Sequence, residues 1–220
     1  MNKLKSAFIS FSLVMVSGIS SAVSISGNAQ LQSDYIWRGM TQNTGDASIN
    51  GGLDVEFENG LYVGTWVASV ASGSEVDYYG GYAGSLGDID YDIGYVKFDY
   101  PATQGGGDDF EELYIGVDLP MGIGISYASG EDGGAAGDTT GFGVSDNLEV
   151  SYGFDLGEGS IGIAYGDYDG FGEYTNLTYD FSMGDFAITL GYSDYSDDAS
   201  TDLTTENDNA FFINVGLFID

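Results

Sequence analysis

The sequence predicts an all-β fold: a single antiparallel transmembrane β-barrel of about twelve strands. Three observations predict it. Beyond the first 22 residues, apolar and polar side chains alternate with period two, which places one set on each face of a strand. No apolar run in that part is long enough to cross a bilayer as a helix, so a membrane crossing must be made by a closed sheet. Short connections also alternate with longer ones, as they do between the two ends of an outer-membrane barrel.

The start of the chain sets the compartment. Lys3 and Lys5 precede an apolar run from Ala7 to Val16, and Ser20-Ser21-Ala22 offers a small-x-small cleavage site. Basic, apolar, small is the order of a secretory signal peptide, and the apolar run is too short to anchor. The expected organisation is a signal peptide over 1–22 and a barrel domain over 23–220. Export to the cell outer membrane follows.

The first strand is expected over 23–38, with Val23, Ile25, Leu31, Tyr35 and Trp37 on the apolar face and Gln30, Gln32, Asp34 and Arg38 opposite. The second, 47–58, alternates Ile49, Leu53, Val55 and Phe57 with Asn50, Asp54 and Glu56, then meets the hairpin signal Asn59-Gly60. Ten further strands are expected near 61–71, 75–85, 89–100, 109–119, 122–129, 142–156, 160–168, 173–181, 186–193 and 209–219. Tyr35, Trp37, Tyr127, Tyr165 and Tyr192 fall near the longer loops. Phe57, Phe154, Phe181 and Phe186 fall near the short turns. Two aromatic belts are what the two membrane interfaces ask for. Lys97 shares the parity of Ile93 and Tyr95, so it either snorkels from the lipid face or marks a bulge.

Composition narrows the chemistry. The net charge is −31, and after residue 22 only Arg38 and Lys97 are basic. Such a chain repels nucleic acid and anionic surfaces. There is no Cys and no His, which removes disulfides, Ser-His and Cys-His catalysis and most zinc sites. Carboxylate pairs such as Asp90 and Asp92 arise by chance among 35 acids. No enzyme, no catalytic residue, no cofactor and no dedicated metal site are expected.

The inward parity is acidic. Its pore-lining candidates are Asp34, Asp54, Glu56, Asp90, Asp92, Glu112, Asp118, Glu149, Asp155 and Asp180, with Tyr114 and the lone Arg38. Carboxylates ringing a narrow pore favour cations; the same residues also simply solvate a filled interior. Arg38 and Tyr114 either form a constriction or, for Arg38, an ion pair with an acid. Acidic loops, notably Asp194, Asp197, Asp198, Asp202, Glu206 and Asp208, with Glu131-Asp132 and Asp167-Tyr168-Asp169, suit weak Ca²⁺ binding, but none has the spacing of a twelve-residue calcium loop.

The stretch Ser33 to Gln42 (SDYIWRGMTQ) resembles the opening motif of the TorF-family porins, also labelled Gcw_chp proteins. GLYVGTW at 60–66, EVDYYGGYAGSL at 75–86, YDIGYVKFDYP at 91–101 and ELYIG at 112–116 add to it. The resemblance covers roughly residues 23 to 120 and implies a Gram-negative outer-membrane barrel with a porin role. It carries no functional residues over. Three functional readings stand. The first is a passive channel for small hydrophilic solutes or cations, set in outer-membrane lipid and weakly cation-favouring. The second is a structural or adhesive closed barrel displaying acidic loops. The third is a soluble secreted β-sandwich that binds Ca²⁺ or polysaccharide. The oligomeric state is not fixed by the sequence.

Overall fold

The computed structural model describes residues 23–101, 109–132, 145–197 and 208–219. The signal-peptide expectation over 1–22 lies outside them. So do Asp198, Asp202 and Glu206 of the calcium reading.

Fourteen strands are described, and twelve of them make the wall. β1 (Val23–Gln32) is followed by two short strands, β2 (Ile36–Trp37) and β3 (Met40–Thr41). The wall resumes with β4 (Ser48–Phe57), β5 (Leu61–Val70), β6 (Gly73–Leu86), β7 (Ile89–Asp99) and β8 (Phe110–Leu119). It continues through β9 (Ile123–Asp132), β10 (Asp146–Leu156), β11 (Gly159–Tyr168), β12 (Gly172–Met183), β13 (Phe186–Asp197) and β14 (Asp208–Ile219). Each wall strand pairs antiparallel with its neighbour, and β14 closes on β1, Gly27 opposite Ile219 and Gln32 opposite Asn214. The single closed sheet excludes the two-layer sandwich. It also places both described ends at the short-turn end.

Closure fixes the dimensions. Followed once around, the registers return to β1 about 16 residues away, which for twelve strands means a tilt of roughly 45° and a backbone radius of roughly 12 Å. That lumen is wide enough for side chains or a small solute.

The outer face is apolar. Ile49, Leu53, Leu113 and Ile213 are each at least half exposed, an arrangement water would not tolerate over a whole cylinder but lipid requires. At the tilt above, this band covers roughly 20 Å of height. Tyr127, Tyr165 and Tyr192 border it at one end and Phe57, Phe154 and Phe186 at the other, as the alternation predicts. Lys97 sits on the outer face opposite Tyr78 and Glu111 in an unbroken register, so there is no bulge. Its ammonium reaches towards Asp99 (3.8 Å) and Asp109 (3.9 Å) at the long-loop rim.

One expectation fails. The first strand does not run to Arg38: the wall ends at Gln32, and residues 34–42 fold inward. Tyr35 and Trp37 therefore belong to the interior and not to the lipid-facing belt. The physical reason is partner supply. Tyr35 is 7% exposed and donates its hydroxyl to a carboxylate on the inner face of the wall, which lipid cannot offer.

Candidate functional site

The inward segment is a miniature hairpin. Ile36 pairs with Thr41 and Trp37 with Met40, leaving Arg38-Gly39 as a two-residue turn. Both have positive φ, 48° and 82°, the requirement of a type I′ turn. A non-glycine residue there is uncommon, and this one is the chain's only arginine. Gly39 is also irreplaceable on space: a Cβ would lie 2.5 Å from Tyr174 Cβ.

The hairpin is rooted at both ends. Ser33 N donates to the Ile213 carbonyl (2.9 Å), and Ile213 N donates to Ser33 Oγ (2.8 Å). Gln42 N donates to the Tyr35 carbonyl (2.7 Å), and Ala71 N donates to the Gln42 carbonyl (3.0 Å). Within it, Thr41 Oγ1 donates to Asp34 (2.6 Å), which fixes that acid in the loop.

Its tip crosses the lumen. Arg38 makes a bidentate pair with Glu112 of β8, at 2.6 and 2.9 Å, while its guanidinium lies over the rings of Trp37 (4.2 Å) and Tyr168 (4.7 Å). Forked hydrogen bonds and aromatic faces suit arginine and not lysine. Trp37 meets Phe98 and Phe110 on one side and Tyr168 on the other. Met40 packs with Tyr168, Phe171, Tyr174 and Tyr195. Tyr35 donates to Glu75 of β6 (2.8 Å), which also accepts from Tyr100 (2.5 Å). The hairpin thus touches both sides of the wall and fills the long-loop end of the lumen.

The stagger of the strands arranges the other candidates in tiers. Glu112 and Glu149 lie level with the underside of the hairpin, and Glu149 accepts from Tyr174 (2.9 Å). Tyr114 is just below, its hydroxyl against that of Tyr62. The next tier holds Asp54, Asp92, Asp118 and Asp180. Asp54 accepts from Tyr79 (2.5 Å), Asp92 from Tyr62 (2.7 Å), and Asp180 from Thr178 (2.9 Å) and Thr189 (2.6 Å). Glu56, Asp90 and Asp155 are nearest the short turns, where Ser85 donates to Asp90 (2.5 Å). The acids therefore do not form one ring, and Asp34 and Arg38 are loop residues and not wall residues.

Two halves of the lower lumen differ. On β4 to β8 the tyrosines 62, 79 and 114 lie over glycines: a Cβ at Gly64, Gly81 or Gly94 would fall within 2.4 Å of one of these side chains. On β9 to β13 the inward residues are small, among them Gly124, Ser126, Ser151, Gly162 and Ala164. Among the described residues no three acidic groups gather closely enough to hold a metal ion.

Sequence reasoning left out Glu75 and Asp77 and, while it put Gln32 and Asn50 on the inward face, did not count the amides among the pore-lining residues. Their signal was parity: Glu75 and Asp77 alternate with Val76 and Tyr78 as Asp54 and Glu56 do with Val55 and Phe57.

The sequence pattern of the family described as "Bacterial protein of unknown function (Gcw_chp)" matches residues 17–214. No curated protein sequence matches the chain significantly. Among solved structures, the chain is similar to the KdgM porin, with TM-score 0.58 and 8% identity over 89% of this chain and 98% of that one. It is also similar to the NanC porin, at 0.55 and 10% over 90% and 100%. The outer membrane protein Omp33 of Acinetobacter baumannii gives 0.53 and 9% over 88% and 95%. At these identities the likeness is one of fold.

Proposed function

This chain belongs to the Gcw_chp family, and from that premise we propose that it is an outer-membrane porin-like channel for small hydrophilic solutes. The narrower TorF assignment is part of the same proposal. The observation that supports it is a closed cylinder, greasy outside and polar inside, whose lower lumen is walled on one side by small residues. The fold shared with the KdgM and NanC porins supports the same reading.

The channel is weakly cation-favouring. Asp54, Asp92, Asp118 and Asp180 in one tier and Glu56, Asp90 and Asp155 in the next face the lower lumen, while Arg38 is spent on Glu112. Fixed negative charge without matching positive charge raises the local cation concentration and rejects anions. No catalytic step enters this reading. Weak Ca²⁺ at the acidic outer loops is compatible with it.

The inward hairpin favours a second reading, a closed barrel that presents acidic loops. Planar-bilayer recordings of the refolded full chain separate the two. The channel reading expects single-channel currents and a reversal potential favouring K⁺ over Cl⁻. No current, both from the wild type and from a variant whose residues 34–42 are a Gly-Ser linker, overturns it in favour of the closed barrel. A preference for chloride overturns the cation preference alone.

A further inference from the structure

The described residues contain seven buried side-chain polar atoms with no hydrogen-bond partner in the protein. They belong to Asn28, Gln32, Asn50, Asp77, Asn176 and Asn214, and six of the seven are oxygens. Buried polar groups are almost always paired, so a set of orphans calls for an explanation.

Their placement supplies one. Gln32 and Asn214 face each other across the β1–β14 seam. Asn50 pairs with Gln30 on the adjacent strand and Asn176 with Ser193. Asp77 lies opposite Trp66 and Phe98. With the strand tilt included, Gln32, Asn50, Asp77, Asn176 and Asn214 come to one level along the contiguous wall β12–β13–β14–β1–β4–β5–β6, an arc of the lumen at the height of the hairpin tip. Only Asn28 lies lower. On the intervening strands, Ala68 lies between Asn50 and Asp77, and the Phe212 ring covers Gly191 between Asn176 and Asn214. Gln32, Asn50, Asp77 and Asn214 are all at least nine-tenths buried.

The arc is acceptor-rich. Asn50 is orphaned at both amide atoms, so turning it over leaves an oxygen unpaired either way. Asp77 has no amide to turn. No basic side chain pairs with it among the described residues. The nearby cation, Arg38, is held by both oxygens of Glu112. Glu75 takes two tyrosine hydroxyls. Asp77 receives neither. Oxygens along one level with a single free carboxylate ask for a partner that brings positive charge or donors.

We infer that this level is the cation-selecting constriction of the channel, with Asp77 its charge-determining residue and the amides of Gln32, Asn50 and Asn214 completing the oxygen lining. The inference rests on the channel reading above and adds where selection occurs. The permeant class is a small monovalent cation, inorganic or an alkylammonium. The scattered single carboxylate does not make a tight divalent site, which fits passage and not storage.

The experiment measures the K⁺/Cl⁻ permeability ratio from reversal potentials in a KCl gradient. Barrel integrity is checked by heat-modifiable gel mobility. Asp77→Asn, nearly isosteric, lowers the ratio by about three-fold or more. Asp77→Ser does the same if the asparagine variant folds poorly. Glu56→Gln, nearer the short turns, changes it less. An Asp77→Asn channel that conducts with the wild-type ratio overturns the arc and leaves the channel reading standing. Absence of current from the wild type and from the linker variant overturns both.

Discussion

Replacing Arg38 by alanine should release the hairpin. The guanidinium is 10% exposed and Glu112 4%, so truncation leaves a buried carboxylate without its partner. Removing one member of a buried pair costs about 3–5 kcal/mol. The hairpin alone carries that cost, because Glu112 stays on a wall held by backbone pairing to β7 and β9. Its seated-to-released ratio therefore falls by roughly two to four powers of ten. Two assays read the change. Trp37 and Trp66 are the only tryptophans, and both pack in or against the hairpin, so iodide quenching should rise. Conductance should rise with it. The double variant Arg38→Ala/Glu112→Gln removes the orphan charge and should recover much of the seated population. If Arg38→Ala keeps wild-type quenching and wild-type conductance, the ion pair does not hold the hairpin, and the reasoning is wrong.

Gly39→Val places a Cβ against the Tyr174 and Tyr195 side chains at a positive φ; the hairpin should fail to seat while the barrel folds, seen as raised quenching with unchanged heat-modifiable mobility. Tyr35→Phe deletes one hydrogen bond to Glu75 and leaves that of Tyr100. It should weaken seating by about 1–2 kcal/mol, a smaller rise in quenching than Arg38→Ala gives. Leu53→Arg sits near the middle of the lipid band. It should cost about 2–4 kcal/mol of stability in denaturant unfolding from bilayers, and a surface-like response below about 0.5 kcal/mol would place this face in water.

The barrel was legible because its grammar is local. Period-two alternation, Asn-Gly and Gly-rich turns and the two belts are each read within a dozen residues, and they locate all twelve wall strands. The hairpin was not legible because its residues continue the alternation by coincidence. Ser33, Tyr35 and Trp37 keep step with Leu31, and Asp34 and Arg38 keep step with Gln32, so nothing nearby marks where the chain leaves the wall. The remaining clue, Arg38-Gly39, is an unusual I′ turn pair. What decides its fate is Glu112, 74 positions away. The arc of unpaired oxygens was hidden for a different reason. Parity gives the face of each side chain but not its height, and height depends on a stagger that appears only when the cylinder closes.

The attachment of Ser33 to Ile213 has a consequence for assembly. These two bonds cross the junction where the first and last wall strands meet. The root of the inward segment is therefore set only when the final strand arrives, while its tip enters the cylinder through the long-loop end. Zipping the seam fixes the hinge from which the hairpin swings, and a chain that loses its last strand loses that hinge along with the wall.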